Sequence, residues 1–251
     1  MYEEILDHFR ISDRALADAV ARVLAEHGVP TDLDAVDATT EALILDVVEQ
    51  RRYLHSAEAE IIRAESPGAV VVVPPPRFYP RKSLHTVIRL SAGLTPRPNR
   101  MLLETFDPVT RAMETSRIAP WAAPNEPEVL EEYARRLEAY ISQHIKSAAR
   151  DLTLDVAASS GAMWARRLSG SENCTFCALQ ASRGAVFHSG NVFFDAHPNC
   201  DCYAVIVEPD AADWEGKEET DRLSELWQES GQDMKQFKQL LEKEKDVELS
   251  A

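Results

Sequence analysis

The residues of this chain with the greatest capacity for chemistry lie between positions 174 and 202. The stretch opens with Cys174-Thr175-Phe176-Cys177 and closes with His197-Pro198-Asn199-Cys200-Asp201-Cys202, gathering all four cysteines and a histidine into 29 residues. Two cysteines separated by two residues can close on one tetrahedral ion, because the intervening turn aims both sulfurs and spare backbone amides at one point. Five candidate ligands, Cys174, Cys177, His197, Cys200 and Cys202, compete for four places. Cys174 and Cys177 form one natural pair. The other is either Cys200 with Cys202 or His197 with Cys200, the remaining group then hydrogen-bonding to the ligands. Spacing alone does not choose between them. The expected ion is zinc in a structural role, stapling a segment too short to build its own core.

A hydrolytic zinc keeps one position open for water and has a carboxylate base within reach, whereas a site saturated by thiolates is closed. Asp195 and Asp201 are near in sequence, yet nothing in the pattern marks either as a base, and His188 reads as a loop histidine. The expectation is therefore a protein that binds and does not turn over substrate. The opposing class is a zinc-supported nuclease or hydrolase with His188 or His197 as base. A third class, a zinc-bearing regulator that binds DNA, is disfavoured by a formal charge of -15 and by the lack of Lys or Arg between Arg183 and Lys217.

Elements that would position the cluster follow from periodicity and punctuation. Residues 11 to 62 carry two apolar helical faces, Leu16, Val20, Val23 and Leu24 on one and Leu33, Val36, Leu43, Val47 and Leu54 on the other, with Gly28-Val29-Pro30 between them. The pattern predicts a helix hairpin. Residues 66 to 103 hold seven of the 14 prolines and six of the Lys and Arg residues, with no acid. They predict an extended linker or arm, whose Arg77, Arg81 and Lys82 are candidate contacts to DNA. A long helix is expected from about Glu126, capped by Asn125, with Leu130, Tyr133, Leu137, Ile141, Ile145, Ala148, Leu152 and Val156 in register and the pattern running on through Trp164. Short strands are expected at 183–187 and 203–207 around the cysteine cluster. From Ala211 an acidic tail, 12 acids against 6 bases, carries helical stripes interrupted near Gly231.

The expected fold is mainly α with a small α+β zinc-stapled module. Its divisions are a helical hairpin at 1–65, the proline-rich basic stretch at 66–103, helices with the cysteine and histidine module at 104–210, and the helical tail at 211–251. The acidic N-terminus lacks a secretory pattern and no apolar run reaches the ~20 residues of a membrane span, so a soluble chain kept in a reducing cytoplasm is expected, where thiols persist.

Trp164-Ala165-Arg166-Arg167, Glu172-Asn173-Cys174-Thr175-Phe176-Cys177, Arg183-Gly184-Ala185-Val186-Phe187 and the closing His197-Pro198-Asn199-Cys200-Asp201-Cys202 resemble the phage Mu protein F-like minor head proteins. The likeness covers roughly residues 120 to 210, and its most specific phrase is His-Pro-x-Cys-x-Cys. It implies a minor capsid protein of a tailed phage or prophage, assembled in the bacterial host cytoplasm and carried in the capsid interior. Portal protein, major capsid protein and packaged DNA are the partners it implies, in head morphogenesis and DNA packaging or delivery. The metal-like positions of that family fall on the five residues already named.

Overall fold

In the computed structural model, the described residues are 3–66, 71–94, 101–106, 113–118, 120–169, 174–186 and 194–248. They form seven helices and four strands: α1 (Glu4–His27), α2 (Leu33–Glu65), α3 (Arg81–Ser91), β1 (Met101–Phe106), β2 (Met113–Ile118), α4 (Pro127–Ser160), β3 (Met163–Arg167), α5 (Thr175–Ala181), β4 (Tyr203–Val207), α6 (Lys217–Glu229) and α7 (Met234–Glu248). A 3₁₀ turn, Pro120–Ala122, precedes α4. The fold is mainly α-helical, with a small α+β element around the cysteines. None of the described helices is long and apolar enough to cross a membrane.

The chain divides into two compact units that cut across its linear order. One comprises 10–53 and 77–145; the other comprises 1–9, 54–76 and 146–251.

In the first unit, Leu16, Val20 and Val23 of α1 and Val36, Leu43 and Val47 of α2 are buried. Gly28, at φ +67°, ends α1 in the left-handed region that a residue without Cβ enters freely. Leu33, expected on the buried face of α2, is 56% exposed because it is the first residue of that helix. An ion pair between Arg22 and Asp46 at 2.8 Å ties α1 to α2.

The proline-rich stretch departs from the extended arm expected of it. Residues 71–80 have no regular structure, but Arg81–Ser91 is helical, and its Leu84, Val87 and Ile88 are buried. Pro80, at φ -71° and ψ 129°, stands just before the helix, so its missing amide costs nothing there. Prolines at 74–76 and 80 gave the stretch its extended look, while the apolar spacing 84, 87, 88 carried the helix. Tyr79 is buried and its hydroxyl lies 2.9 Å from Nδ1 of His144, with the Arg51 guanidinium 4.9 Å from its ring centre.

α4 begins at Pro127, one residue later than expected, so Glu126 and not Asn125 is the flanking residue whose carbonyl accepts from the Val129 and Leu130 amides. Its 34 residues give a rod about 50 Å long. The helix stops at Ser160, short of Trp164, because Gly161 turns the chain at φ +76°. Trp164 instead lies in β3.

The second unit contains the cysteine module. β3 pairs antiparallel with β4, Met163 opposite Val207 and Arg167 opposite Tyr203. The expected strand at 203–207 is therefore present, but its partner precedes the cysteines. Among the described residues 183–186 no strand forms. In the first unit, β1 pairs antiparallel with β2, Met101 opposite Ile118, a hairpin that the sequence pattern does not announce. α6 and α7 fold onto the module. Leu223, Leu226 and Phe237 are buried in one apolar cluster with Leu168, Ala178, Cys177, Cys200 and Cys202. The tail's apolar stripe thus covers the chain's own cysteines.

Candidate metal centre

Local chain geometry brings the five expected donors to one place by three different devices. Cys174 is the N-cap of α5, extended at φ -76° and ψ 153°, and its sulfur accepts the amide of Cys177 at 3.3 Å. Sulfur here takes the role that a serine or aspartate oxygen usually plays at a helix start. The helix then turns Cys177 back beside it. His197-Pro198-Asn199-Cys200 forms a turn closed by the Cys200 amide on the His197 carbonyl at 3.2 Å, with Asn199 at φ 63°. Proline at the second position and asparagine at a positive φ in the third are the residues such a turn demands. Cys202 immediately precedes β4, so the ladder with β3 fixes its position.

Two donor groups result, Cys174–Cys177–His197 and Cys177–Cys200–Cys202, each with all its ligand atoms within 4.8 Å of one another. Cys177 belongs to both. Its sulfur lies 3.7 Å from Nε2 of His197 and 3.5 Å from the sulfur of Cys200. A tetrahedral ion bound at about 2.3 Å to sulfur and about 2.0 Å to nitrogen would place its ligands about 3.5–3.8 Å apart, so both separations fit edges of such a site. Nε2 of His197 stands closer to Cys174 Sγ, 2.7 Å, in a direct hydrogen-bond contact that an ion would open by about an ångström. All four cysteines are free thiols, and the 3.5 Å between Cys177 and Cys200 is far beyond the roughly 2 Å of a disulfide. The cluster is capable of coordinating a metal ion.

Protons are distributed within it accordingly. Hydrogen bonds from the Cys177 and Cys202 thiols, reinforced by the charge of Arg150, hold the Cys200 thiol well below its ordinary range. Cys177 is driven upward, chiefly because it donates to Cys200 and Cys202 and also because it is buried. Burial opposes ionisation of Cys174, but hydrogen bonds from the Cys177 amide and from His197 outweigh it and pull the thiol down. Cys174 and Cys200, each accepting hydrogen bonds from its neighbours, offer lone pairs that a cation would take over.

Behind the sulfurs stand groups that the spacing of cysteines does not announce. Arg150 of α4 is buried and donates from Nε to the Cys202 carbonyl at 2.9 Å and from Nη2 to the Cys200 carbonyl at 2.5 Å. Arg166 of β3, also buried, donates to the Cys177 sulfur at 3.6 Å and to the Asp195 carbonyl at 2.5 Å. The Phe194 ring centre is 3.8 Å from the Arg166 guanidinium and 5.1 Å from that of Arg150. The available signal was a charged residue inside an apolar register: Arg150 falls between Ile145, Ala149 and Leu152, and Arg166 between Trp164 and Leu168.

The remaining candidates separate from this group. Asp201 accepts from the buried Lys146 at 2.5 Å, so its carboxylate is committed to a cation. His188 lies outside the described residues, as do Arg97, Arg100, Glu172 and Asn173. Arg81 is in the other unit, held by Asp37 at 2.9 Å and Glu41 at 2.5 Å. Arg77 and Lys82 lie in that unit as well, and neither belongs to a donor group.

Comparison with known proteins gives one family match: the family described as VG15 protein matches residues 104–230, half of the chain. That span contains all five donors, Arg150 and Arg166. No curated protein matches, and no solved structure matches.

Proposed function

This chain belongs to the VG15 protein family, and from that premise we propose that it is a binding and assembly protein whose cysteine and histidine centre holds a structural zinc ion. The supporting observation is a pair of three-donor groups that share the Cys177 sulfur, with Cys177, Cys200 and Cys202 buried beneath α6 and α7. A donor set dominated by thiolate sulfur suits a centre that holds shape. The ligands assigned in this reading are Cys174, Cys177, His197 and Cys200, joined through Cys177, whose sulfur stands 3.7 Å from His197 Nε2 and 3.5 Å from Cys200 Sγ, and Cys202 supports them from the base of β4. Zinc, when bound, supplies four directional bonds that lock α5 to the His197–Cys200 turn.

The same module carries the likeness to phage Mu protein F-like minor head proteins, and the reading extends to that role. The protein is a minor capsid component used in head morphogenesis, recognising portal and capsid proteins inside the head. Its surface charge of -15 suits protein partners better than a long DNA track. Contact with packaged DNA would be local, through Arg77 and Lys82.

Metal analysis of the purified chain, followed by limited proteolysis with and without a strong chelator, tests the centre. One zinc per chain is expected, with chelation exposing residues 174–207 to cleavage before the helices. A metal-free chain that resists protease equally in both conditions would overturn it. The assembly role predicts co-sedimentation with capsids and no hydrolytic or nuclease turnover. Turnover lost on changing His197 or Asp195, with zinc retained, would instead establish the enzyme reading.

A further inference from the structure

We propose that Arg150 and Arg166 are working parts of the metal centre, two buried counter-charges that offset the negative charge of its sulfur ligands and so hold the ion tightly. This rests on the reading of the cluster as a zinc site and deepens it.

The case begins with where positive charge is buried. Arg150 and Arg166 are only 2% and 3% exposed. Isolated charges at that depth are costly unless an opposite charge compensates them. The described hydrogen bonds of these two guanidiniums go to backbone carbonyls and one sulfur, none to a carboxylate. Asp201, the acid beside the cluster, is engaged by Lys146. The negative charge that fits these cations is on sulfur. A divalent ion with three thiolates and an imidazole carries a net charge of about -1, and with four thiolates about -2. Four thiolates balance the two guanidiniums and three offset half of their charge, whereas neutral thiols would leave Arg166 facing only dipoles and Arg150 only Asp201, itself paired with Lys146.

Geometry gives each arginine a separate task. Arg166 touches the sulfur common to both donor groups, Cys177, so it stabilises negative charge at the centre of the set. Arg150 clamps the carbonyls of Cys200 and Cys202 with one planar group, fixing the backbone that carries two sulfurs. The Phe194 ring lies within cation–π range of both guanidiniums. Both are positioning residues: neither has an atom with which to bind a cation.

The test is zinc affinity by chelator competition, with the cobalt(II)-substituted protein as a spectroscopic check. Arg166→Met and Arg150→Met preserve length and remove charge. Each is expected to weaken zinc binding by about 10- to 100-fold, the range found for groups that hydrogen-bond to metal ligands. Arg166→Met should also shift the sulfur-to-cobalt charge-transfer band, while Arg166→Lys, which keeps the charge, should restore most of the affinity. Affinity within twofold of wild type in both Met variants, with the helical circular dichroism intact, would overturn the proposal. A purely structural arginine would lower the stability of metal-free and zinc-loaded protein equally and leave affinity unmoved. Should a Met variant fail to fold, the wild-type chain decides: zinc addition must shift the Nε–H resonances of the two arginines, and their indifference to bound zinc refutes the idea. A wild-type chain that binds no zinc would remove the centre itself, an outcome distinct from equal affinity in the variants.

Discussion

The α1–α2 hairpin and the cysteine module bury their residues by opposite means. In the hairpin segment of 10–53, the buried set is aliphatic: Leu16, Val20, Val23, Val36, Leu43 and Val47. Each such side chain contributes about 1.5–3 kcal/mol by leaving water. The polar side chains buried with them are Ser12, Thr39, Thr40 and a single cation, Arg51; the threonines bond back to the carbonyls of Ala35 and Val36, and Arg51 donates to the His144 carbonyl and lies over the Tyr79 ring. In the module, Lys146, Arg150 and Arg166 are all buried, Arg166 on the Cys177 sulfur, Arg150 on the Cys200 and Cys202 carbonyls and Lys146 on Asp201, under apolar cover that includes Leu223, Leu226 and Phe237. Area alone cannot stabilise three buried cations. The lesson is that one chain can rely on aliphatic burial in one segment and, in another, gather buried cations around a cluster capable of holding a metal ion.

The sharpest way to separate the two regions is to remove the sulfur that both donor groups share. Cys177→Ser is expected to reduce bound zinc from about one per chain to none and to release the 174–207 segment to protease, with α1 and α2 still protected; metal analysis and mass-mapped proteolysis read both effects. Cys202→Ser, which touches only one donor group, should keep most of the metal.

The converse change is Leu43→Ala, at a fully buried position of α2. A loss of about 2–5 kcal/mol in urea unfolding is expected, with zinc content unchanged. Loss of zinc together with stability would erase the distinction between the regions.

A third change sharpens the comparison within the module's own unit. Burial raises the Glu58 carboxyl from its ordinary 4.5 to about 7, only partly offset by the hydrogen bond from Thr153. A carboxyl raised in the folded state binds its proton there more tightly than in the unfolded chain, so its contribution is fully present below about pH 4.5 and lost as pH rises through 7. Glu58→Gln should therefore match wild type near pH 4.5 and exceed it by up to roughly 3 kcal/mol at pH 8, read as the difference between paired urea titrations. A difference that does not change with pH would refute the assignment.

The smallest effect belongs to the surface. Arg22→Ala, which breaks the exposed pair with Asp46, should cost about 0–1 kcal/mol and less in high salt.

Periodic and covalently distinctive features were legible in the sequence. Both long hairpin helices, the stripe of α4 from Tyr133 to Val156, the strand at 203–207 and the gathering of Cys174, Cys177, His197, Cys200 and Cys202 follow from spacing. What escaped depends on tertiary choice. Trp164 continues the α4 register on paper, yet Gly161 ends the helix and Trp164 packs on Phe194, ring centres 5.6 Å apart. Arg81–Ser91 was obscured by neighbouring prolines although its own 11 residues contain none. Arg150 and Arg166 look like ordinary surface arginines until a fold buries them, because nothing local distinguishes a charge that meets solvent from one that meets sulfur.

The short β3–β4 ladder has a consequence for how the molecule must be assembled. Arg166 is paired with Ala204, and strand side chains alternate between faces. Sliding one strand by a single residue would turn Arg166 away from Cys177 and offer Ala165 or Arg167 in its place. Metal capture before the strands have found their alignment would thus trap a centre lacking its counter-charge, whereas zipping first delivers guanidinium and sulfur together.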